Sequence, residues 1–300
     1  VSNTRTLLSS HNYLAGVLLL ILSTAAWSAS LITAYLLSRE GVSVNTANAA
    51  RYLIAVLPVF IFLRCQRQSL SLSPRGIRLG VMLGICGYMI SFSYLHSTQH
   101  IPVSFAVLLL YTAPFLVALA IRIVDRKTLS ILQFTAMAIA FIGLAFILEI
   151  NTSKDLSLIG VMFAFFAALG LAGQITIANY ATQWFAAPVL TLYALTTTTV
   201  LLLLTLLLAG DVSIPDSSSA QIKLIIIGVS IAIAQVSMFT GIKWVGPMPA
   251  AILMNMEPVF TIGLAILIIG EQLNALQLLG ATMVIGAVFA VTVPMTSRSR

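Results

Sequence analysis

Glu257 lies in PMPAAILMNMEPVFTIGLAILII, residues 247–269, an apolar stretch long enough to cross a bilayer with one carboxylate near its middle. An ionised carboxylate left in hydrocarbon is costly, so Glu257 is expected to face a bundle interior or a watery cavity, where it can take a proton or a cation. Pro258 follows directly. Lacking an N–H, it leaves the Met254 carbonyl without its helical donor, which puts a kinked backbone and a titratable group at one depth. The alternative is a structural carboxyl, hydrogen-bonded inside a closed bundle. A second charge belongs with it. The apolar run 52–63 is too short to cross alone, so its span must begin near 45–50, which draws Arg51 into the membrane. Arg51 either snorkels to the interface or serves as a counter-charge or a contact for a substrate anion.

Other polar side chains fall well inside apolar runs: Trp27, Ser28 and Ser30, then Tyr88, Ser91 and Tyr94, then Tyr111, Gln174, Gln235 and Asn255. All are candidates to line a substrate cavity. Trp27 is informative because tryptophan prefers the membrane interface and this one sits halfway along its run. Serines often bond their own helix carbonyls and a tyrosine can pack locally, whereas Gln174 and Gln235 are stronger signals because an amide in hydrocarbon needs partners. On a continuous helix Met254, Glu257 and Thr261 would share a face that Asn255 does not. His96 and His100, four apart, have no third ligand nearby, so an interfacial role is favoured over a metal pair. Cys65 and Cys86 show no metal spacing and no disulfide framework. Gly228–Ser230 offers a serine without a base, since His11, His96 and His100 all lie at or beyond span ends. No catalytic residue, metal or cofactor is expected, and the chain is read as not an enzyme.

These residues must be held by membrane helices. With 60% hydrophobic and 8% charged residues over 300 positions and a mean hydropathy of +1.07, the chain is an integral membrane protein. Ten apolar spans are expected, at about 14–37, 45–64, 77–97, 101–124, 129–149, 157–179, 187–209, 221–244, 248–269 and 273–294. Gly80 and Gly84, at GxxxG spacing, fit close helix packing. The net charge of +7 sits in short caps between spans, which speaks for topology and against a nucleic-acid partner. With a cytoplasmic N-terminus, one side collects Arg5, Arg64, Arg67, Arg75, Arg78, Arg122, Arg126, Lys127, Lys243, Arg298 and Arg300, and the other only Arg39, Lys154 and Lys223. Both termini are therefore expected in the cytoplasm. The initial Val1 is read as a bacterial non-ATG start, and the location as the bacterial inner membrane. The lipid bilayer, a small-molecule substrate and a proton are the expected partners.

A repeat organises the spans. Pro114 and Pro258 differ by 144, and the same offset pairs Gly16 with Gly160, Gly84 with Gly228, and Gln133 with Gln277. Ten spans divide into two sets of five, residues 1–150 and 151–300, and an odd set forces the second copy to enter the membrane upside down. The expected fold is an all-α integral membrane protein, ten transmembrane helices in two inverted five-helix repeats, with a site near the midplane. The charge is not repeated: Asn255 and Glu257 correspond to Tyr111 and Ala113.

The stretches GPMPAAILMNMEPVFTIGLAILIIGEQLNALQLLGATMVIGAVF and IPVSFAVLLLYTAPFLVALAI resemble the paired fourth and fifth helices of the EamA-like family of the drug/metabolite transporter superfamily. Gly270 and Glu271, Gln277 and Gly280, the AAW ending at Trp27 and the arginine of NAARYLIA fit that pattern over essentially the whole chain. The first repeat departs from it, with RKTL from Arg126 where the second has GEQL. The resemblance implies a member of a family that includes exporters of amino acids, other metabolites and toxic compounds. Taken with the inverted repeat and Glu257, the leading expectation is a secondary exporter of a small amphipathic metabolite such as an amino acid, working by alternating access with Glu257 as proton site or amine contact. An uncoupled facilitator or channel-like protein is the alternative.

Overall fold

A computed structural model describes residues 2–124, 126, 129–149, 157–210, 212, 217–270 and 273–292, with the backbone alone for 2–11 and 269. The expected repeat junction at 150/151 and residues Lys127, Thr128, Lys154, Asp155, Asp211, Asp216, Glu271, Gln272, Arg298 and Arg300 lie outside the described residues. The described residues form twelve helices: α1 (Ser2–Ser38), α2 (Val44–Cys65), α3 (Pro74–Ser97), α4 (Val103–Leu110), α5 (Ala113–Val124), α6 (Ile131–Ile147), α7 (Leu158–Ala181), α8 (Ala187–Ala209), α9 (Ser218–Val245), α10 (Pro247–Met254), α11 (Glu257–Ile269) and α12 (Ala275–Thr292).

Nine stretches among the described residues are long and apolar enough to cross a membrane, and two of them consist of a pair of short helices, α4 with α5 and α10 with α11. The remaining expected span is α6, an apolar helix of only 17 residues. At 1.5 Å per residue it covers about 25 Å, a few ångströms less than a typical hydrocarbon core.

Several helix starts among the described residues carry side-chain caps. Ser43 accepts from the Thr46 N–H at α2, and Ser73 accepts from Gly76 ahead of an α3 that opens with Pro74. The last helix of each half opens on a reciprocal box: Ser130 and Gln133 cap one another's backbone N–H groups at α6, as do Asn274 and Gln277 at α12. Gln133 and Gln277, paired in sequence by the 144-residue offset, thus do the same job twice.

The glycine pairs have the same explanation. Gly16 on α1 leaves room for α9, where a Cβ would come within 2.9 Å of Trp244 and 2.7 Å of Val245. Gly160 on α7 does this against His100 and Ile101, at 2.8 Å each. Those two contacted positions are themselves related by 144, so each repeat's first helix packs on the other repeat's third. Gly84 faces Ala194 and Thr197 of α8, and Gly228 faces Arg51 and Ile54 of α2. The self-symmetric seam joins α6 to α12, where Gly143 and Gly280 approach through their backbones.

At one end of the bundle Glu40 accepts from Ser217, Ser219 and Lys223, and Glu149 accepts from Asn274. The opposite end holds Pro247, with Arg75 over the Tyr180 and Trp184 rings. These are called below the Glu40 end and the Pro247 end.

Candidate functional site

In the fourth and ninth spans the α-helical hydrogen bonding is interrupted just ahead of Pro114 and Pro258, which were expected to mark helix kinks. α4 stops at Leu110 and α5 starts at Ala113; α10 stops at Met254 and α11 starts at Glu257. The two breaks match residue for residue under the 144 offset. Each proline sits in the first turn of the second half-helix, where a missing N–H costs nothing. Across the breaks the chain tightens into three-residue turns, Thr112 N–H to Leu109 carbonyl and Met256 N–H to Leu253 carbonyl.

Glu257 therefore stands in the first turn of α11, half-buried at mid-span, next to the N-terminal ends of backbone N–H groups. Its own carbonyl accepts from Ser28 of α1 (2.7 Å) and from Thr261 (2.9 Å), which anchors the break to the first helix. Tyr111, the buried residue that ends α4, lies beside its carboxyl, and Tyr94 and Arg51 complete the electrostatic group. Two broken helices and α2 and α3 thus bring one acid, one base and two phenols together.

Arg51 makes no ion pair among the described residues, and its Nε is buried without a hydrogen-bond partner. Its guanidinium lies over the Tyr52 ring at 5.3 Å from the centroid, and the Tyr52 hydroxyl accepts from Ser91 at 2.7 Å. Ser91 thus holds the residue that supports Arg51. Tyr52 carried no polar periodicity in the sequence to single it out, beyond standing next to Arg51.

The remaining candidates separate into three environments. Gln174 is bound into the α3–α7 seam, its amide donating to the Leu83 carbonyl at 3.3 Å. Trp27 and Tyr88 pack against the apolar cluster of α2, α8 and α9, with Tyr88 stacked on Phe92 at 5.2 Å. Ser30 Oγ, Gln235 Nε2 and Asn255 Oδ1 are buried without partners. Among the described residues no hydrogen bond joins Gln174 to the Glu257 group.

The two ends of the bundle differ in packing. At the Pro247 end every residue from Met248 to Met254 in α10 is buried, in one cluster with Ala113, Val117, Ala118 and Ile121 of α5. At the Glu40 end only Ala106 and Leu108 of α4 are buried, and α11 is mostly half-buried or exposed, with open space beside Gly263. The acid–base group lies where the packed region meets the loose one.

The sequence profile of the EamA-like transporter family matches the chain twice, over residues 14–149 and 158–293. No curated protein matches the chain. A protein known from a crystal structure, 16% identical, superposes with a TM-score of 0.79 over 93% of this chain and 98% of its own, which is a likeness of fold.

Proposed function

The chain belongs to the EamA-like transporter family, and from that premise we propose that it exports a small amphipathic metabolite of the amino-acid type by alternating access. It is a membrane transporter of the drug/metabolite class, with two family repeats spanning the bilayer. The observation that supports the finer reading is the placement of Arg51 and Glu257 in one electrostatic group at the helix breaks, with Tyr94 and Tyr111 beside them. A zwitterion offers a carboxylate to Arg51 and an ammonium to Glu257, and the phenols give its apolar part a flat contact. Without substrate, Glu257 takes a proton, so that exchange of proton for substrate keeps the site from carrying an unmatched charge. The buried run from Met248 to Met254 in α10 supports this reading over an open pore.

The membrane is proposed to be the bacterial cytoplasmic one, with both termini inside, because Arg64, Arg67, Arg75, Arg78, Arg122, Arg126 and Lys243 gather at the Pro247 end. Reporter fusions test this: Ser218 should read outside and Arg126 inside.

Glu257→Gln tests the mechanism, since it keeps size and removes charge and titration. In proteoliposomes the variant should lose pH-gradient-driven flux. Retained counterflow of labelled amino acids would assign Glu257 to the proton, and lost counterflow would assign it to the substrate amine. Wild-type rates in both assays, at equal protein in the membrane, would remove Glu257 from the mechanism.

A further inference from the structure

The two ends of the bundle carry matching contacts made of different chemistry. At the Glu40 end the chain just past α1 meets the start of α9, where Glu40 accepts from Ser217, Ser219 and Lys223. The 144-residue offset carries Glu40 to Trp184 and Ser219 to Arg75. At the Pro247 end those two residues meet in the same way, the chain just past α7 against the start of α3. The Arg75 guanidinium lies 5.7 Å from the centre of the Trp184 ring and 5.4 Å from that of Tyr180. The repeat thus sets a carboxylate beside a helix start at one end and an indole at the other. Lys223 has its anion within the chain, and Arg75 has rings instead.

Aromatic rings attract a guanidinium through their quadrupole, but they carry no counter-charge. They hold the cation in place and leave its N–H groups to be filled. Among the described residues the Arg75 side chain makes no hydrogen bond and no ion pair. Arg78, three residues on along α3 and so a neighbour on the helix surface, is exposed as well. Of the described carboxylates, Glu40 and Glu149 stand at the opposite end and Glu257 at mid-span, while Asp125 lies outside the described residues. Trp184 is 65% exposed and Tyr180 43%, so both rings face outward at a helix end, the depth at which aromatic residues meet the headgroups of a bilayer. A lipid phosphate at that depth offers two free oxygens, the pair that a guanidinium takes with two parallel N–H bonds. A headgroup that also carries an ammonium would bring that charge towards Arg78, so a net negative headgroup is favoured.

We infer that Arg75, seated on Trp184 and Tyr180 with Arg78 beside it, is a binding site for an anionic phospholipid whose headgroup has a phosphodiester and no ammonium. Because the rings already hold the guanidinium, little side-chain freedom is lost when the phosphate binds. The site is remote from Glu257 in depth and does not depend on what is transported.

Trp184 is its own reporter. With Trp27→Phe and Trp244→Phe it is the one tryptophan left of three. The protein is reconstituted in phosphatidylcholine bilayers that contain a minor fraction of phosphatidylglycerol, brominated near the headgroup end of its acyl chains so that it quenches an adjacent indole. Brominated phosphatidylglycerol should quench as though enriched about threefold or more over brominated phosphatidylcholine at the same fraction, the order expected for one or two arginines at a membrane surface. The excess should vanish at about 1 M salt. Arg75→Gln, at an exposed position, should bring the two lipids level. Arg122→Gln removes an exposed charge at the same end on α5 and should leave the preference as it was. Glycerol phosphate, a soluble anion of related chemistry, should not relieve the quenching at millimolar concentration. Equal quenching by the two lipids, an equal loss of preference in Arg122→Gln, or relief by glycerol phosphate would overturn the proposal, the second because the attraction would then belong to the whole end and the third because the ligand would be a free anion. If the doubly substituted chain does not assemble, the unaltered chain and Arg75→Gln alone are compared by native mass spectrometry from the same mixed bilayers. The first should retain phosphatidylglycerol and the second should lose it, and equal retention would overturn the site. Transport is not measured in any arm, so failure here leaves the reading of Glu257 untouched.

Discussion

The half-helices α5 and α10 and the half-helices α4 and α11 are built from matching stretches of the two repeats, yet the first pair is packed and the second is not. α5 and α10 share a continuous core at the Pro247 end, whereas α4 and α11 leave most of their side chains half-buried or exposed at the Glu40 end. Sequence symmetry would allow the two ends to be equivalent. The two matching pairs are packed unequally, and the Pro247 end is the tighter one. Gln235 Nε2 and Asn255 Oδ1 are buried without partners, a penalty of about 1–3 kcal/mol for each such group.

The strongest way to break this comparison is to overfill each end. Ala251→Trp in α10, where the alanine is 1% exposed, should destabilise the protein by about 1–3 kcal/mol, seen as a lower melting temperature in detergent. Val103→Trp in α4, where the valine is 57% exposed, should leave melting within error. Similar losses at both would make the two ends equally tight. Single cysteines sharpen the picture with a smaller perturbation. Gly263→Cys in α11 has open space for its side chain and should react with a water-soluble thiol reagent, whereas Ala250→Cys in α10 should stay unreactive. The reverse order would put the open side at the Pro247 end.

The smallest effect is expected at the Glu40 clamp, which ties α1 to the start of α9. Lys223, by its hydrogen bond, and then Ser219 and Ser217 hold the Glu40 carboxyl below its ordinary value. A depressed folded value means that the clamp stabilises above the unfolded value of about 4.3 and that this contribution fades as pH falls through the folded one. Lys223→Met should thus lower the melting temperature slightly at pH 7 and low salt, and the gap should close in acid or in high salt, because the pair is exposed. A gap that grows in acid would place the stabilising contact elsewhere.

Much of the fold was legible because membrane helices declare themselves by length and hydropathy, and because the residues fixed by the 144-residue offset are the ones whose job has no substitute nearby: a glycine where helices touch, a glutamine closing a capping box. The breaks at Leu110 and Met254 were less so. A proline in an apolar run reads as a kink, and only backbone bonds distinguish a bent helix from two helices. The site divides in the same way. Glu257 and Arg51 announce themselves because charge is rare in these spans, while Ser91 and Tyr52 depend on which faces meet. Gln174 had the same sequence signal as Gln235, yet one amide found a carbonyl across a helix seam and the other did not. Periodicity does not carry that information.

The seam between Gly143 on α6 and Gly280 on α12 also has a consequence for how the chain is made. Its two sides leave the ribosome far apart in time: at 5–20 residues per second, α12 follows α6 by roughly 7–27 s. The first helix waits longer, roughly 11–46 s, for its partner on α9, to which Gly16 is fitted. During that interval the first repeat sits in the bilayer with its glycine surfaces facing lipid or another nascent chain. It is a half-template, and another molecule's second repeat would fit it as well as its own. Crowded synthesis should therefore yield chimeric pairs of chains before it yields misfolded single ones.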